Sequence, residues 1–405
     1  MQQTKLEHKN RSLAEILVSG FKTNINQYAM FIALIGIWII FQVLTGGNFI
    51  TPRNLSNLMG QNIYIAILAM GMVLVMVAGH IDLSVGFLGG AAGALAAMLS
   101  HSFHVPVWGI IAAALAFGLV VGLWQGFWIA YRGVPAFIVS LGTYMVMKGL
   151  IVIILQSQTL YTPDGFNIFG QGFLPQLLLK GDVGSPGVPF HDLSLLLGVV
   201  AIIAYWIFEL RNRANRLKYG FEVLPFSLQI GKIVLISVLI AAIFAIQTFY
   251  VGISYAFLLL IAFGLVFTFV TTKTVFGRHV YALGGNKEAA RLSGINIQRR
   301  TLTIFVIMGT LAAVAGIIFT GRLASATPAA GTLWELDAIA SCVIGGTSTM
   351  GGEGTIIGAI IGAFVIGSIN NGLGLMNQPI EIQFIVKGLI LVLAVWFDIT
   401  SKKRR

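Results

Sequence analysis

Leu336-Asp337-Ala338-Ile339-Ala340-Ser341-Cys342-Val343-Ile344-Gly345-Gly346 is an apolar run of 11 residues in a chain of 405. As an α-helix it extends about 16 Å, roughly half of the ~30 Å of hydrocarbon in a bilayer. It nevertheless decides how the chain threads. Longer apolar runs lie near 28–45, 62–79, 107–130, 136–155, 193–209, 233–250, 252–271, 302–320, 355–374 and 383–398. A second short piece, 86–100, follows the polar break His80-Ile81-Asp82-Leu83-Ser84-Val85-Gly86. Both short pieces together with the ten full spans make twelve segments, an even number that puts the two termini on one side. Without 336–346, the basic end Lys402-Lys403-Arg404-Arg405 would emerge opposite the other basic segments. With it, 20 of the 25 Lys and Arg face inward, on the N-terminus (Lys5, Lys9, Arg11, Lys22), Arg132, 211–232, 273–300 and the C-terminus. That is the asymmetry of the positive-inside rule, and the long outward loop near 156–191 holds only Lys180.

The expected fold is therefore all-α: a polytopic helical membrane protein of about ten full spans plus two short or broken helices, both termini cytoplasmic. Residues 1–27 form a cytoplasmic tail and 28–398 the membrane domain, with cytoplasmic inserts at 210–232 and 273–301. Residues 399–405 form a second basic tail. Composition agrees, because 57% hydrophobic and 10% charged residues carry too much apolar surface for a water-soluble domain. Topology accounts for the net charge of +11, which removes nucleic acid as a partner. The single Cys342 allows neither a disulfide framework nor a thiol metal site. The N-terminus has no signal-peptide cleavage pattern.

The two halves resemble each other weakly. Each has an apolar helix, a Gly-bearing polar break and a small-residue helix: Ala78 to Ser84 before Gly86 to Ala97, and Ile344 through Gly354 before Ile356 to Gly367. Broken segments in matching positions point to a transport pathway, and ordinary surface turns are the alternative. Gly118, Gly122 and Gly126, Gly89 and Gly93, and Gly358 and Gly362 repeat every four residues, which lets helices approach closely. Spacing alone leaves open whether these faces meet within a chain or across a dimer.

Catalytic chemistry is missing. There is no G-x-x-x-x-G-K-[ST] phosphate loop, since Gly231-Lys232 is followed by Ile233, so this chain cannot hydrolyse ATP. The six histidines have no zinc-ligand spacing, and no G-x-S-x-G elbow occurs. No catalytic residue, metal or cofactor is expected on this chain.

Ionisable and amide groups inside apolar segments are functional candidates because they are costly there. The candidates for a translocation path are His80, Asp82, Ser84, Glu335, Asp337, Asn370 and Asn371. Asp82, Glu335 and Asp337 could equally serve helix N-termini, and Lys148 and Lys387 could extend to an interface. Two adjacent amides, Asn370 and Asn371, cannot both be caps, and amides suit a neutral polyhydroxylated solute because each donates and accepts. Few carboxylates lie at mid-membrane, which disfavours a proton-coupled carrier.

The hydrophilic island Lys273 to Arg300 contains Gly284-Gly285-Asn286-Lys287-Glu288-Ala289-Ala290-Arg291-Leu292-Ser293-Gly294. The glycines punctuate a short amphipathic helix, too short to be stable alone in water. Glu288-Ala289-Ala290-x-x-x-Gly294 resembles the EAA motif of ABC-importer membrane subunits, although the closing Leu-Pro of many importers is replaced by Val306-Ile307. Nearly the whole chain resembles the ribose/xylose-type sugar permeases of binding-protein-dependent importers. The matching stretches include Thr51 to Leu58, Gly79 to Gly86, Val134 to Val139, Thr274 to Arg278, Glu335 to Ser348 and Ile385 to Leu389. The basic segment near 210–232, read as an extra helix pair, makes the layout similar to D-xylose and multiple-monosaccharide permeases. The resemblance implies a bacterial inner membrane protein that is a transporter subunit and not an enzyme. It implies a sugar-binding protein outside, a cytoplasmic double-cassette ATPase that carries the ATP-Mg, a permease homodimer and a monosaccharide substrate. Gly285, Asn286, Glu288, Ala289, Ala290, Arg291 and Gly294 would couple to the ATPase. The alternatives are a permease of the same class for a branched-chain amino acid or nucleoside, and an ion-coupled secondary carrier.

Overall fold

The computed structural model describes residues 25–403 apart from 222 and 224. The basic residues of 1–24, with Arg404 and Arg405, lie outside the described residues. The chain forms α1 (Ile25–Leu44), α2 (Pro52–Val77), α3 (Val85–Phe103), α4 (Val107–Ala130), α5 (Ala136–Leu155) and β1 (Leu160–Tyr161). Then come α6 (Asp164–Gln171), α7 (Asp192–Lys218), α8 (Phe226–Thr248), α9 (Tyr255–Lys273), α10 (Val275–Gly285), α11 (Lys287–Leu292) and α12 (Ile297–Leu323). The chain ends in β2 (Ser325–Ala326), α13 (Trp334–Ile344), α14 (Ile356–Leu375) and α15 (Ile380–Lys403). Among the described residues, nine helices are long and apolar enough to cross a membrane.

Helix α12 is the axis of the bundle. Its Gly309 meets Gly118 and Gly122 of α4 backbone to backbone, and Gly126 meets Leu302, so α4 and α12 cross antiparallel. A Cβ on Gly122 would lie 2.5 Å from the Phe305 carbonyl oxygen. On another side, Gly89 and Gly93 of α3 meet Gly316 and Thr320, so α3 runs parallel to α12. Helix α2 packs antiparallel, with Gly71 against Met308 and Gly60 against Arg322. The repeated glycines at positions 89, 93, 118, 122 and 126 thus meet partners within the chain. The core follows: α2 is buried almost throughout, whereas α7 and α8 pack chiefly on each other and expose most of their surface.

The short run at 336–346 becomes α13, 11 residues beginning at Trp334. The missing length is non-helical chain, two strand residues followed by consecutive turns. After α12 ends, Ser325–Ala326 pairs antiparallel with Leu160–Tyr161, and the chain then descends along α3. Ala330 lies against Gly90, and Gly331 (φ +95°) lies against Gly86. Non-helical backbone at this depth survives only where protein covers it, and the side-chain-free Gly86 and Gly90 leave room for it.

The internal repeat has a geometric counterpart. After α2, the Gly79 N–H donates to the Met76 carbonyl at 2.9 Å and the His80 N–H to that of Val75 at 3.0 Å. After α13, the Gly346 N–H donates to Val343 at 2.9 Å and the Thr347 N–H to Cys342 at 2.8 Å. These are identical Schellman motifs with the glycines at φ +79° and +80°, where a Cβ would be strained. Small-residue helices α3 and α14 follow.

Two expectations change. The piece at 86–100 is a full 19-residue helix, because polar His101 and Ser102 extend the last turn beyond the hydropathic run. Among the described residues of Arg211 to Phe226 there is no separate helix pair. Helix α7 instead carries its charged turns on to Lys218, and α8 starts at Phe226, its N-terminus set by Pro225.

Gly118→Val should lower the melting temperature of the detergent-purified protein by several degrees, since overpacking costs typically about 1–3 kcal/mol. Gly231→Val, where nothing lies within 4 Å of an added Cβ, should leave it nearly unchanged. Equal melting temperatures for both variants would contradict the packing assigned to α4 and α12.

Candidate functional site

Three helices in sequence lay out the island, each opened by its own cap. The Thr274 hydroxyl accepts from the Gly277 N–H at 3.2 Å before α10. Asn286 Oδ1 accepts from the Ala289 N–H at 2.9 Å before α11, and Asn296 Oδ1 from the Arg299 N–H at 2.9 Å before α12. Side-chain acceptors of this kind satisfy the orphan donors of a helix start. Helix α11 closes in a Schellman motif at Gly294 (φ +80°), whose N–H donates to Arg291 while that of Ile295 donates to Ala290. Of its six residues only Ala290 is buried; Lys287, Glu288, Ala289, Arg291 and Leu292 are exposed, Leu292 at 78%. Glu288 and Arg291 form an exposed i,i+3 pair of the kind that adds little stability. The segment is thus anchored by one alanine and presents an apolar residue flanked by charges.

The root of this helix is fixed firmly. Gly284, at the end of α10, touches the backbone of Val77 at the end of α2 and that of Gly352, with an added Cβ falling 2.6 Å from the Gly352 nitrogen. The Gly352 N–H donates to the Val77 carbonyl at 2.9 Å, and the Tyr281 hydroxyl donates to the Gly354 carbonyl at 2.7 Å. The end of α10 therefore touches both broken regions at once, 78–84 through Val77 and 345–354 through Gly352 and Gly354. Both breaks lie at the end of the bundle that the basic residues mark as inward. Nothing in the sequence brings Val77, Gly284 and Gly352 together, although the glycines mark where backbones approach.

The candidates inside the membrane segregate into three groups. At the first break, Asp82 Oδ1 accepts from the Ser84 N–H at 2.8 Å and from its hydroxyl at 2.7 Å, and Gln125 Nε2 donates to the Ser84 hydroxyl at 2.8 Å. Asp82 thus serves the start of α3, and Gln125 is a member of the group that periodicity hides among the apolar residues of α4. His80 lies with its ring 5.9 Å from that of Phe305. In α13, Glu335 abuts Gly86 with Oε2 buried and unpartnered, and Asp337 Oδ2 accepts from Lys387 Nζ at 2.9 Å. Lys387 reaches this buried carboxylate rather than an interface. The third group is remote from both. Asn371 and Asn54 exchange side-chain amide hydrogen bonds of 3.1 and 2.8 Å, joining α14 to α2, while Asn370 Oδ1 is buried without a partner.

Discontinuous helices inside a polytopic bundle, with a projecting capped helix rooted on both, are the architecture of a membrane-spanning transport subunit. The family described as "Branched-chain amino acid transport system / permease component" matches residues 54–395, and the chain belongs to it. Permease components of this family are membrane subunits and not enzymes, and the chain is a multi-pass membrane protein. It is 39% identical to the xylose transport system permease protein of Haemophilus influenzae over 94% of this chain and 98% of that one. The corresponding xylose permease of Escherichia coli K12 is also 39% identical, with 95% of each chain covered. The ribose import permease protein of Escherichia coli K12 is 33% identical over 90% of this chain and 92% of its own. No solved structure matches the chain significantly.

The Asn54–Asn371 pair generates a stability prediction. Asn371→Leu alone should destabilise by about 1–3 kcal/mol, because it leaves Asn54 Oδ1 without its donor while Nδ2 keeps only the Phe49 carbonyl. The double variant Asn54→Leu/Asn371→Leu should recover much of that loss in thermal unfolding. Additive losses would show that the two amides do not act as a pair.

Proposed function

We propose that the chain is the permease of an ATP-driven, binding-protein-dependent monosaccharide importer, with D-xylose the first candidate and another pentose or an aldohexose the next. The observation that carries the reading is the near full-length match to permeases named for xylose, the ribose permease following at lower identity. On this reading a sugar-binding protein docks outside, over 45–60 and 156–191, and a double-cassette ATPase docks on α11 from the cytoplasm. Two copies of the permease form the path in the bacterial inner membrane. The energy enters at Glu288, Ala289 and Ala290, with Gly285, Asn286, Arg291 and Gly294 shaping the docking element.

The geometry at the root of α11 gives this reading a mechanical form. A displacement of α11 passes through Gly285 to Gly284 and Tyr281, and from there to Val77 and Gly354. Both broken regions then respond to one input. The permease needs two states that bind nucleotide-loaded ATPase and sugar-loaded binding protein differently, since a ligand shifts an equilibrium only by its differential affinity. His80, Asp82 and Ser84 in the first break, with Glu335 beside it, are the polar groups that such a movement would shift. Asn371 is engaged by Asn54, so of the two amides Asn370 is the better candidate for sugar contact.

Purified with its operon partners in liposomes, the complex should hydrolyse ATP faster when D-xylose-loaded binding protein is added. Glu288→Lys and Gly294→Trp should insert normally yet abolish ATPase co-purification and uptake; wild-type uptake in either would sink the coupling assignment. Tyr281→Phe should retain ATPase binding while moving about tenfold less sugar per ATP, if a bond of about 1.4 kcal/mol is lost between states. Stimulation by a branched-chain amino acid or a nucleoside, with none by any sugar, would overturn the substrate.

A further inference from the structure

Lys148 is the only charge of α5, at the thirteenth of its 20 residues and well inside the hydrocarbon span. Its side chain is exposed and, among the described residues, has no carboxylate within ion-pair distance. It does not extend to the outward surface. Its Nζ lies 5.7 Å from the centre of the Phe87 ring, in the first turn of α3, so the stem follows the N-terminal lean of a helical side chain deeper into the bundle. Tyr144 meets the same ring edge-on with centroids 4.6 Å apart. Next to Phe87, Gly86 abuts Glu335, whose Oε2 is buried and unpartnered. An ammonium held at this depth is strongly disfavoured against lipid.

The exposed face of α5 has two unlike edges. Leu141, Lys148 and Val152 follow one another at helical spacing and are exposed, with Lys148 over Phe87. Gly142 and Val146 lie on the other side, in an apolar groove shared with Val120, Trp124 and Trp128 of α4. The groove edge suits lipid, and the Lys148 edge does not.

We propose that the edge of α5 bearing Lys148 lines the aqueous route through the membrane. Its ammonium donates to hydroxyls of the passing sugar, and the Phe87–Tyr144 pair forms an apolar wall for the sugar ring. The ligand rests on the sugar-import reading, but the water does not. An ammonium supplies three donors and binds a neutral polyol weakly enough for release. A cation over an aromatic face also leaves the ring edge-on to Tyr144, so both contacts persist without the ligand.

The buried Cys342 is the only cysteine, so a Cys342→Ala background permits site-specific labelling. In membrane vesicles of both orientations holding the complete transporter, Lys148→Cys and Leu141→Cys should react with a membrane-impermeant thiosulfonate at least about tenfold faster than Val146→Cys. Lys148→Cys reacting as slowly as Val146→Cys from both sides would overturn the wet edge. Lys148→Met should raise the half-saturating D-xylose concentration about tenfold, with Lys148→Arg restoring most of it and the maximal rate nearly unchanged. Fast labelling of Lys148→Cys with an unchanged half-saturating concentration in Lys148→Met would overturn the sugar contact alone. Fast labelling in a transporter whose wild type ignores sugars would sustain the wet edge and remove the substrate reading.

Discussion

Helix α12 is held by backbone-to-backbone contact, and the rest of the bundle depends on that. Lipid tails are as apolar as leucine, so burying leucine between helices gains little in a membrane; close approach and dispersion must hold the helices together. Gly309 facing Gly118 and Gly122, and Gly316 facing Gly89, bring α4 and α3 onto α12 from two sides. With α2 on a third side, this core leaves little freedom to slide. The hairpin of α7 and α8 contrasts with it, since its two helices pack mainly on each other and touch the core near their outward ends, where Gln247 meets Ser56.

The same use of missing side chains admits irregular backbone to the interior. Between β2 and α13 the chain runs as a series of turns whose Ala330 and Gly331 are buried against protein, where non-helical backbone is tolerated. Gly86 and Gly90 provide the surface, and the short turns at Ala330, Thr332 and Trp334 use the N–H groups internally. Helix α13 thereby begins within the bundle. Its first-turn acids are placed where Asp337 can meet Lys387 and where Glu335 meets Gly86.

Legibility followed range. The number of apolar segments, the insertion of the 336–346 helix, the caps and the Gly-bounded helix at 287–292 are local properties, and period and punctuation display them. Pairings across the chain were not displayed. Asn371 read as a free amide suited to a polyol because its partner, Asn54, lies 317 residues away. Lys387 read equally as a pathway group or an interfacial cation, because its carboxylate lies in another element. Gln125 was invisible among the apolar residues of α4, as one amide does not disturb the hydropathy of 24 residues. The extra length between 209 and 233 read as a separate helix pair because charge breaks a hydropathic run without breaking a helix.

The Schellman motifs at Gly79, Gly294 and Gly346, like the one that closes α7 at Gly220, bear on how such a bundle could switch. Each ends a helix through two internal hydrogen bonds, so two of its last carbonyls stay satisfied whatever the next segment does. Residues beyond them can therefore change direction without unravelling the helices before them. Gly284 lies against one of these termini and the far side of the second break, touching Val77 just before Gly79 and Gly352, six residues beyond Gly346. A contact made of backbone on both sides is stiff, because no side chain is present to change rotamer and absorb a displacement. Movement of α10 must then either shift both breaks or open the contact altogether. That makes the junction bistable rather than compliant, and bistability is the property by which a small input at one surface becomes a discrete change elsewhere.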